Sequence, residues 1–238
     1  SPLPSTSRAL SYLHPRRLHQ PMSAFPNSPR LIKGGLVLVD PASGAVQRTL
    51  SFQYNPDTLT RSLQPKAASP EGGDRSEALR LKGPPVETIK LEAEFDATDL
   101  LEAGDPAAAS AGIQADLAAL ETLLYPASSD LLASNALARS GTLEIAPLQS
   151  PLALFVWSEH RVVPVRVTDL SITEEAFDPK LNPIRAKVSL GLRVLSVDDL
   201  GFDAKGGALF LIHQQQKEQF ASRARAATLS TLGLKGIP

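Results

Sequence analysis

Residues 86–97 read VETIKLEAEFDA, and from position 89 apolar and charged side chains alternate without a break. The two interleaved sets are Ile89, Leu91, Ala93 and Phe95, and Lys90, Glu92, Glu94 and Asp96. Successive side chains of a β-strand point to opposite faces, so this pattern predicts a strand with one buried face and one charged face. A strand of this kind is typical of an antiparallel sheet.

An apolar β-hairpin is predicted upstream of this strand. Residues 31–40, LIKGGLVLVD, form a short apolar run, and Pro, Ser and Gly in residues 41–44 supply turn chemistry. The next run, RTLSFQY, places Leu50, Phe52 and Tyr54 on one face, and Asn-Pro-Asp at 55–57 ends it.

The chain returns to strands after residue 141, with TLEIA (142–146), LALFVW (152–157) and HRVVPVRV (160–167). Pro164 has no N–H to donate, which predicts an edge strand or a bulge at that position. Beyond Thr168 the apolar positions change parity, which predicts a β-bulge near Asp169. The last long strand, IRAKVSLGLRVLSV (184–197), carries Arg185, Lys187 and Arg193 on its polar face, as candidate cross-strand partners of two glutamates, Glu92 and Glu94.

Two helices and one long loop complete the expected fold. Leucines at helical spacing predict a packed helix at about residues 113–124, and a second helix is predicted from Gly207 to about Ala221. Residues 58–84 are rich in Pro, Gly and Ser and are predicted to be a loop. The fold class is therefore mainly β and antiparallel, with one packed central helix and a C-terminal helix.

Composition and charge exclude several classes of protein. The 238 residues include no cysteine, so disulfides and thiolate chemistry are excluded. Prolines and arginines interrupt the first residues, and no apolar run is long enough to span a bilayer, so a cytoplasmic protein without direct membrane insertion is expected. Residues 40–204 carry 14 of the 24 basic residues and 24 of the 25 acidic ones, a net charge of -10 between two basic ends.

Three regions follow from these patterns. Residues 1–30 hold six of the 20 prolines and are predicted to be an extended arm. Residues 31–204 form the β domain, and residues 205–238 form the C-terminal helix and a basic tail. The basic ends suit head-to-tail contacts between copies or flexible tails, and they lack the interleaved aromatic residues expected of a nucleic-acid-binding protein.

Catalytic, metal-binding and cofactor-binding motifs are not found. The four histidines have no zinc-helix spacing, and the glycine pairs do not form a phosphate-binding loop. Ser158, Glu159 and His160 are consecutive, so they cannot face one another on a strand, and a polar hairpin turn is predicted instead. Glu174 and Glu175 are predicted to be solvated loop charges. The chain is therefore not expected to be an enzyme or to bind a cofactor.

Four stretches resemble the tube-protein family of contractile injection systems, which are phage-tail-like machines. They are FQYNPDTLTRSLQP (52–65), PPVETIKLEAEFDATD (84–99), LETLLYP (120–126) and residues 152–196. Three motifs within them, at residues 54–56, 95–99 and 177–184, each join an alternating strand to a particular turn. The motif residues, expected to serve as structural or interface positions, are Phe52, Tyr54, Asn55, Pro56, Phe95, Asp96, Asp99, Trp157, Arg166, Phe177, Asp178, Pro179, Asn182, Pro183 and Arg185.

The resemblance implies a tube-type β fold, an antiparallel sandwich or barrel with a packed helix. Six copies of such a domain form a ring around a lumen. It implies a structural role as an inner-tube or baseplate-hub adaptor, with tube, spike and baseplate subunits as partners and loop 58–84 reaching a neighbouring ring. Some similar chains carry a LysM module after this domain, and no such module is seen here. The alternative is a monomeric β-barrel binding module that holds a peptide or sugar with loop 58–84.

Overall fold

Seven strands form a single antiparallel sheet in the computed structural model, which describes residues 32–66, 81–141, 151–225 and 227–237. The order across the sheet is β2-β1-β5-β6-β7-β4-β3. The strands are β1 Gly35–Val39, β2 Val46–Ser51, β3 Leu59–Gln64, β4 Val86–Asp96, β5 Leu152–Ser158, β6 Arg161–Phe177 and β7 Pro183–Val194. The expected mainly β, antiparallel fold is confirmed, as one curled sheet rather than two stacked ones.

Six helices accompany the sheet within the described residues: α1 Thr98–Glu102, α2 Pro106–Ala111, α3 Gln114–Glu121, α4 Ser128–Arg139, α5 Val197–Leu200 and α6 Lys205–Ser222, with a 3-10 turn at Leu229–Leu232. α3 is the predicted central helix, although it ends at Glu121, and its Leu117 and Leu120 are buried. α6 is the predicted C-terminal helix and buries Phe210 against the sheet. α1, α2 and α4 are not among the helices predicted from the sequence.

The sheet is curled, because the short segment 52–58 joins strands at its two opposite edges. A flat sheet of seven strands would separate its outermost strands by about 29 Å. Gln53 lies two residues past the end of β2, yet its side chain donates to the Asp96 carbonyl (2.6 Å) and accepts from the Asp96 N–H (2.8 Å) at the end of β4. The two edges therefore approach each other at this end of the sheet.

The hydrophobic core lies inside the curl and is closed by α3 and α6. The predicted inward positions of β4 are buried, and the facing positions of β7 share the same environment. Core side chains that are nearly or fully inaccessible include Leu36, Ile89, Ile113, Phe155, Val163, Val165, Val188, Leu190 and Leu192. Burial of these apolar side chains is the main source of the stability of the domain.

A change of register in β6 confirms the bulge predicted near Asp169. The pairing of β6 with β7 shifts between Val167 and Asp169, which returns the later apolar residues to the buried face. The edge or bulge predicted at Pro164 is wrong, because this residue pairs with Leu154 in an interior strand. Its carbonyl accepts from Leu195 N (2.9 Å), one residue past β7, so the missing N–H removes only the terminal bond of the ladder.

The predicted loop 58–84 is wrong at its start, because β3 occupies Leu59–Gln64 and pairs with β4 along its whole length. The rest of the loop between 67 and 80, the predicted arm 1–30 and the predicted strand TLEIA lie outside the described residues.

Glu87 ties β3, β4 and α6 together. Its carboxylate accepts from Arg61 Nε (2.7 Å) and from Lys217 Nζ (3.1 Å), and only 7% of its side chain is exposed. Burial by itself would raise the pKa of Glu87, but the charge of Lys217 and the hydrogen bonds from Arg61 and Lys217 outweigh it and lower the pKa below the ordinary 4.5. The ionised form of Glu87 therefore stabilises the fold.

We expect Glu87→Gln to lower the free energy of unfolding by about 1–3 kcal/mol at neutral pH, because two charge-assisted hydrogen bonds lose their acceptor charge. The pKa of Glu87 is lower in the folded chain than in the unfolded one. Its contribution is therefore complete above pH 4.5 and is lost as the pH falls through the folded-state pKa. Urea denaturation of the unmodified chain and of Glu87→Gln at a series of pH values gives the difference in their free energies of unfolding. This difference should become smaller in acid, and a difference that does not change with pH would contradict the role of Glu87.

Candidate functional site

A charged cleft of about 370 Å³ lies where β4 ends and β7 begins. It is lined by Tyr54, Glu94, Phe95, Asp96, Glu175, Arg185, Ala186 and Lys187. Four of these, Tyr54, Phe95, Asp96 and Arg185, belong to the motif residues predicted from the sequence. The structure thus brings together side chains from three separate stretches of the chain.

The sheet register places the charges of this cleft. Glu94 lies opposite Lys187, and Asp96 lies opposite Arg185, in the β4–β7 pair. Arg185 Nε donates to Asp96 Oδ2 (2.8 Å), so the predicted partner of Arg185 is corrected from a glutamate to an aspartate. Both residues of each pair sit on the charged face, because side chains directly opposite in a sheet share a face.

Glu175 supplies the third carboxylate of the cleft. It lies at a second register shift in β6, between Glu174 and Ala176, and its carboxylate pairs with Lys187 Nζ at 3.2 Å. The prediction of loop charges at Glu174 and Glu175 is therefore wrong, because both residues lie on β6 and Glu175 also forms an ion pair. The shift lets its side chain reach the charged face, and a strict alternation of residues would not predict this contact. The third basic residue, Arg193, pairs with Asp199 (2.7 Å) instead of a β4 glutamate.

All charged groups of the cleft with a shifted pKa favour the ionised state. Hydrogen bonds from the Thr98 hydroxyl lower the pKa of Asp96 first, burial opposes this, and Arg185 lowers it further. The hydrogen bond and charge of Glu175 raise the pKa of Lys187, and Glu94 adds to the effect. Three carboxylates and two cations therefore face solvent together, which suits recognition of a polar protein surface better than proton transfer.

Asn55 and its neighbours fasten the start of β1 beside this cleft. The Asn55 side chain accepts from Gly34 N–H (2.9 Å) and donates to Ile32 C=O (2.8 Å), while Phe52 is buried in the core. Pro56 follows and is partly buried. The Tyr-Asn-Pro motif therefore fixes the position of the chain before β1. Only Tyr54 of this group lines the cleft.

The turn between β6 and β7 is held by a network of side chains. Asp178 accepts from the backbone N–H groups of Lys180 (2.7 Å) and Asn182 (2.8 Å) and from the Asn182 amide (2.8 Å). Asn182 also donates to Ser110 C=O (3.2 Å). Pro179 begins the turn and Pro183 is buried where β7 starts. The turn is thereby anchored to α2 and projects as a fixed unit.

Two large apolar side chains are exposed on this turn. Phe177 is 49% exposed and Leu181 is 78% exposed. Leu181 also adopts a φ of 65°, a left-handed conformation that costs a branched residue free energy. Strain and apolar exposure coincide at the tip, which is typical of a contact surface.

The remaining motif residues lie away from the cleft. Trp157 stacks on Phe155 with ring centroids 6.0 Å apart. Asp99 is exposed in the first turn of α1. Arg166 is exposed and lines a separate apolar cavity of about 470 Å³ with Val167 and Leu195.

Ser158, Glu159 and His160 form the predicted turn between β5 and β6. The Ser158 hydroxyl accepts from His160 N–H (3.3 Å), and the Glu159 carboxylate pairs with His160 Nε2 (3.2 Å). The serine hydroxyl therefore points to a backbone group of its own turn rather than to a base.

Comparison with known proteins gives matches to solved structures only. No family model matches the chain, and no curated protein matches it. One solved structure that matches is a chain from the tail of an empty GTA particle with C6 symmetry. The identity is 10%, the TM-score is 0.28, and the match covers 68% of this chain and 90% of the other. Agreement at this level carries no argument about function, so the proposal below relies on the geometry and motifs of the chain itself.

No helix of the described ranges combines the length and apolar character needed to cross a bilayer. In the same ranges, no three histidine, aspartate or glutamate side chains gather as metal ligands would.

Gln53 was not a candidate residue in the sequence. We predict that it contributes more to the stability of the domain than Gln47, the glutamine of β2. Gln53→Leu should lower the free energy of unfolding by about 1–3 kcal/mol, because it removes two hydrogen bonds and leaves both backbone groups of Asp96 without their partner. Gln47→Leu, at an exposed position of β2, should change it by no more than about 0.5 kcal/mol. Urea denaturation followed by circular dichroism measures both, and equal effects would contradict the closing role of Gln53.

Proposed function

We propose that this chain is a structural subunit of a contractile injection system, in which copies form a six-membered ring that joins the inner tube to the spike and baseplate hub. The particle would assemble in the cytoplasm, and the subunit would act mechanically, without catalysis or a cofactor. The sequence motifs named above support the class of particle. The unpaired edges of the sheet support the mode of assembly.

The edges of the sheet are the observation that carries the proposal. β2 and β3 are the outermost strands, and within the described residues no further strand pairs with either. Most side chains of both strands are exposed, including Val46 on β2 and Leu63 on β3. An exposed edge offers a row of unpaired backbone donors and acceptors, which a neighbouring chain can complete.

The two edges are different strands, so a contact between them is head-to-tail. When β2 of one copy pairs with β3 of the next, only the two terminal copies of an open chain retain a free edge, and ring closure pairs these last two edges. A contact of this type gives a closed ring if its rotation divides a full turn, and an open filament otherwise. Six copies are proposed from the family resemblance, and a ring of this kind would present a continuous strand surface around its lumen.

The β6–β7 turn and the charged cleft supply a second contact surface. Phe177 and Leu181 gain burial if an adjacent subunit covers the turn, and this gain offsets the strain at Leu181. The ionised carboxylates and cations of the cleft would fix the orientation of that subunit, because charge complementarity determines register more than affinity.

A substitution at Thr49 tests the β2 edge without breaking the sheet. Phe52 N–H donates to Gly34 C=O (2.9 Å), and bonded and non-bonded pairs alternate along an antiparallel ladder. Thr49 is therefore in a non-bonded pair with Val37, and its N–H points away from β1. Thr49→Pro removes this outward donor, whereas Thr49→Val keeps it.

We expect Thr49→Val to assemble like the unmodified chain and Thr49→Pro to remain folded but unassembled. Light scattering gives the mass of each variant, negative-stain imaging shows rings, and circular dichroism with thermal unfolding confirms that the domain is folded. Rings of normal size formed by Thr49→Pro would refute the β2 edge as the assembly surface.

The alternative, a monomeric binding module that uses loop 58–84, loses part of its proposed binding loop to β3. Images of particles from cells that lack the gene distinguish the two functions. The structural role predicts loss of assembled tubes, and the binding-module role predicts tubes of normal number and length.

A further inference from the structure

A further cavity, separate from the charged cleft, lies among β3, the β5–β6 turn and α6. Its volume is about 140 Å³. Basic and polar side chains dominate its lining, which consists of Arg61, Ser158, His160, Arg161, His213, Gln216, Lys217 and Phe220. No carboxylate is among these residues.

Positive charge exceeds negative charge around this cavity. Arg61 and Lys217 share the single carboxylate of Glu87, which lies behind the lining. Arg161 forms no ion pair with a carboxylate of the described residues. Burial lowers the pKa of Arg161, and the charge of Arg61 lowers it further against the opposing effect of Glu87. Three cations, set against Glu87 and the exposed Glu159 that pairs with His160, leave a net charge of about +1 at the cavity.

His213, which also lines this cavity, has a buried ring nitrogen without a hydrogen-bond partner among the described residues. The atom is Nδ1, and the residue as a whole is only 6% exposed. Burial lowers the pKa of His213 and the charge of Lys217 adds to this, while Glu87 and the backbone of His160 raise it. A buried ring nitrogen without a partner is costly, and buried polar groups in native proteins are almost always bonded.

We propose that this cavity is a binding site for an oxyanion, either a carboxylate or a sulfate- or phosphate-like group. The guanidinium of Arg161 offers a planar pair of donors that fits such oxygens, and Lys217 adds a point charge. When His213 is protonated, its Nδ1–H can donate to the anion while the ring keeps its hydrogen bond to the backbone of His160. Glu87 keeps Arg61 and Lys217 in place and neutralises only part of their charge.

Two sources of the oxyanion share this chemistry. One is a free anion, and the other is an aspartate or glutamate of a second copy, since residues 40–204 carry a net charge of -10. The site itself does not depend on the proposed ring. Binding and assembly are therefore measured separately.

Sulfate is the probe, because its charge is constant over the range in which histidine titrates. Nuclear magnetic resonance of the His213 ring in the full chain, at ionic strength held constant with sodium chloride, follows a sulfate titration. We expect saturable shifts of the His213 signals and a higher His213 pKa with sulfate bound, because an anion favours the charged ring. The absence of a saturable change at His213 would overturn the proposal.

Two variants that remove one positive charge each make the test specific. Arg161→Gln should weaken sulfate binding about tenfold or more, as loss of a charge-assisted hydrogen bond does. Lys90→Gln removes a charge from the opposite face of β4 and should leave the affinity within about twofold. Equal weakening in both variants would show non-specific charge attraction and would refute the site.

The mass of the unmodified chain, measured with and without saturating sulfate, assigns the source. A carboxylate from a second copy predicts that sulfate competes and reduces association. A free anion predicts association that sulfate leaves unchanged or strengthens. Either result is consistent with the site only if the sulfate titration of His213 saturates and Arg161→Gln weakens sulfate binding.

Discussion

Phe155→Ala is expected to lower the free energy of unfolding by about 3–5 kcal/mol, a large share of the stability of a single domain. Phe155 lies on β5 near the middle of the sheet, is 0% exposed and stacks on Trp157. Alanine removes most of the ring and leaves a cavity that strands on both sides cannot fill, because β1 and β6 are fixed by their own ladders. Urea denaturation at equilibrium measures the loss.

Phe202→Ala is the matched control for the core substitution. The same atoms are removed, but Phe202 is 67% exposed, so its effect should not exceed about 0.5 kcal/mol. A loss at Phe155 as small as the loss at Phe202 would mean that β5 does not lie in the interior of the sheet.

Gly112→Ala is expected to cost on the order of 2–4 kcal/mol, from backbone strain together with a lost hydrogen bond. Gly112 has a φ of 58°, and a Cβ atom there would lie 2.0 Å from the Pro183 carbonyl oxygen. The same oxygen accepts from Ile113 N–H (2.9 Å). The substitution therefore pushes the junction of α2 and α3 away from the first residue of β7.

Gly104→Ala separates backbone strain from this close contact. Gly104 has a φ of 72°, but nothing lies within 4 Å of a Cβ built there, so only a cost of about 1 kcal/mol is expected. Thermal and urea unfolding of the two variants provide the comparison. Equal losses would show that the close approach to Pro183 contributes nothing to docking of the helices.

Local patterns predicted the parts of the fold that obey a simple period. The alternation in β4 predicted which of its residues are buried and which are exposed. The change of parity after Thr168 predicted the bulge in β6, because a one-residue slip must be compensated to keep apolar residues buried. The turn at residues 158–160 followed from polar residues between two apolar runs.

The missed elements depend on contacts that are distant in sequence. β3 has side chains exposed on both faces, so its alternation is weak and pairing with β4 determines it. α4 buries no residue against the described chain, and so its leucines show no core-facing stripe. α2 had a local signal, since Asp105 caps it (2.9 Å to Ala108 N) and Pro106 begins it, a combination typical of a helix start.

Four residues of the candidate site were among the predicted motif residues, and the position of Lys187 opposite a β4 glutamate was predicted, but the other contacts of the site were not. Asp96 and Arg185 were both motif residues, yet their pairing depends on the β4–β7 register, which sequence periodicity does not give. Glu175 joined them through a register shift at residues 174–176. His213 and Arg161 lie 52 positions apart, and only the packing of α6 near the β5–β6 turn brings them to one cavity.

The mass of the purified chain in solution, measured by light scattering over a range of concentrations and paired with negative-stain images, tests the central proposal most directly. Completion of the β2 and β3 edges by sister copies predicts closed rings with a mass close to six chains. A single chain mass at every concentration, together with fields of isolated particles, would contradict it.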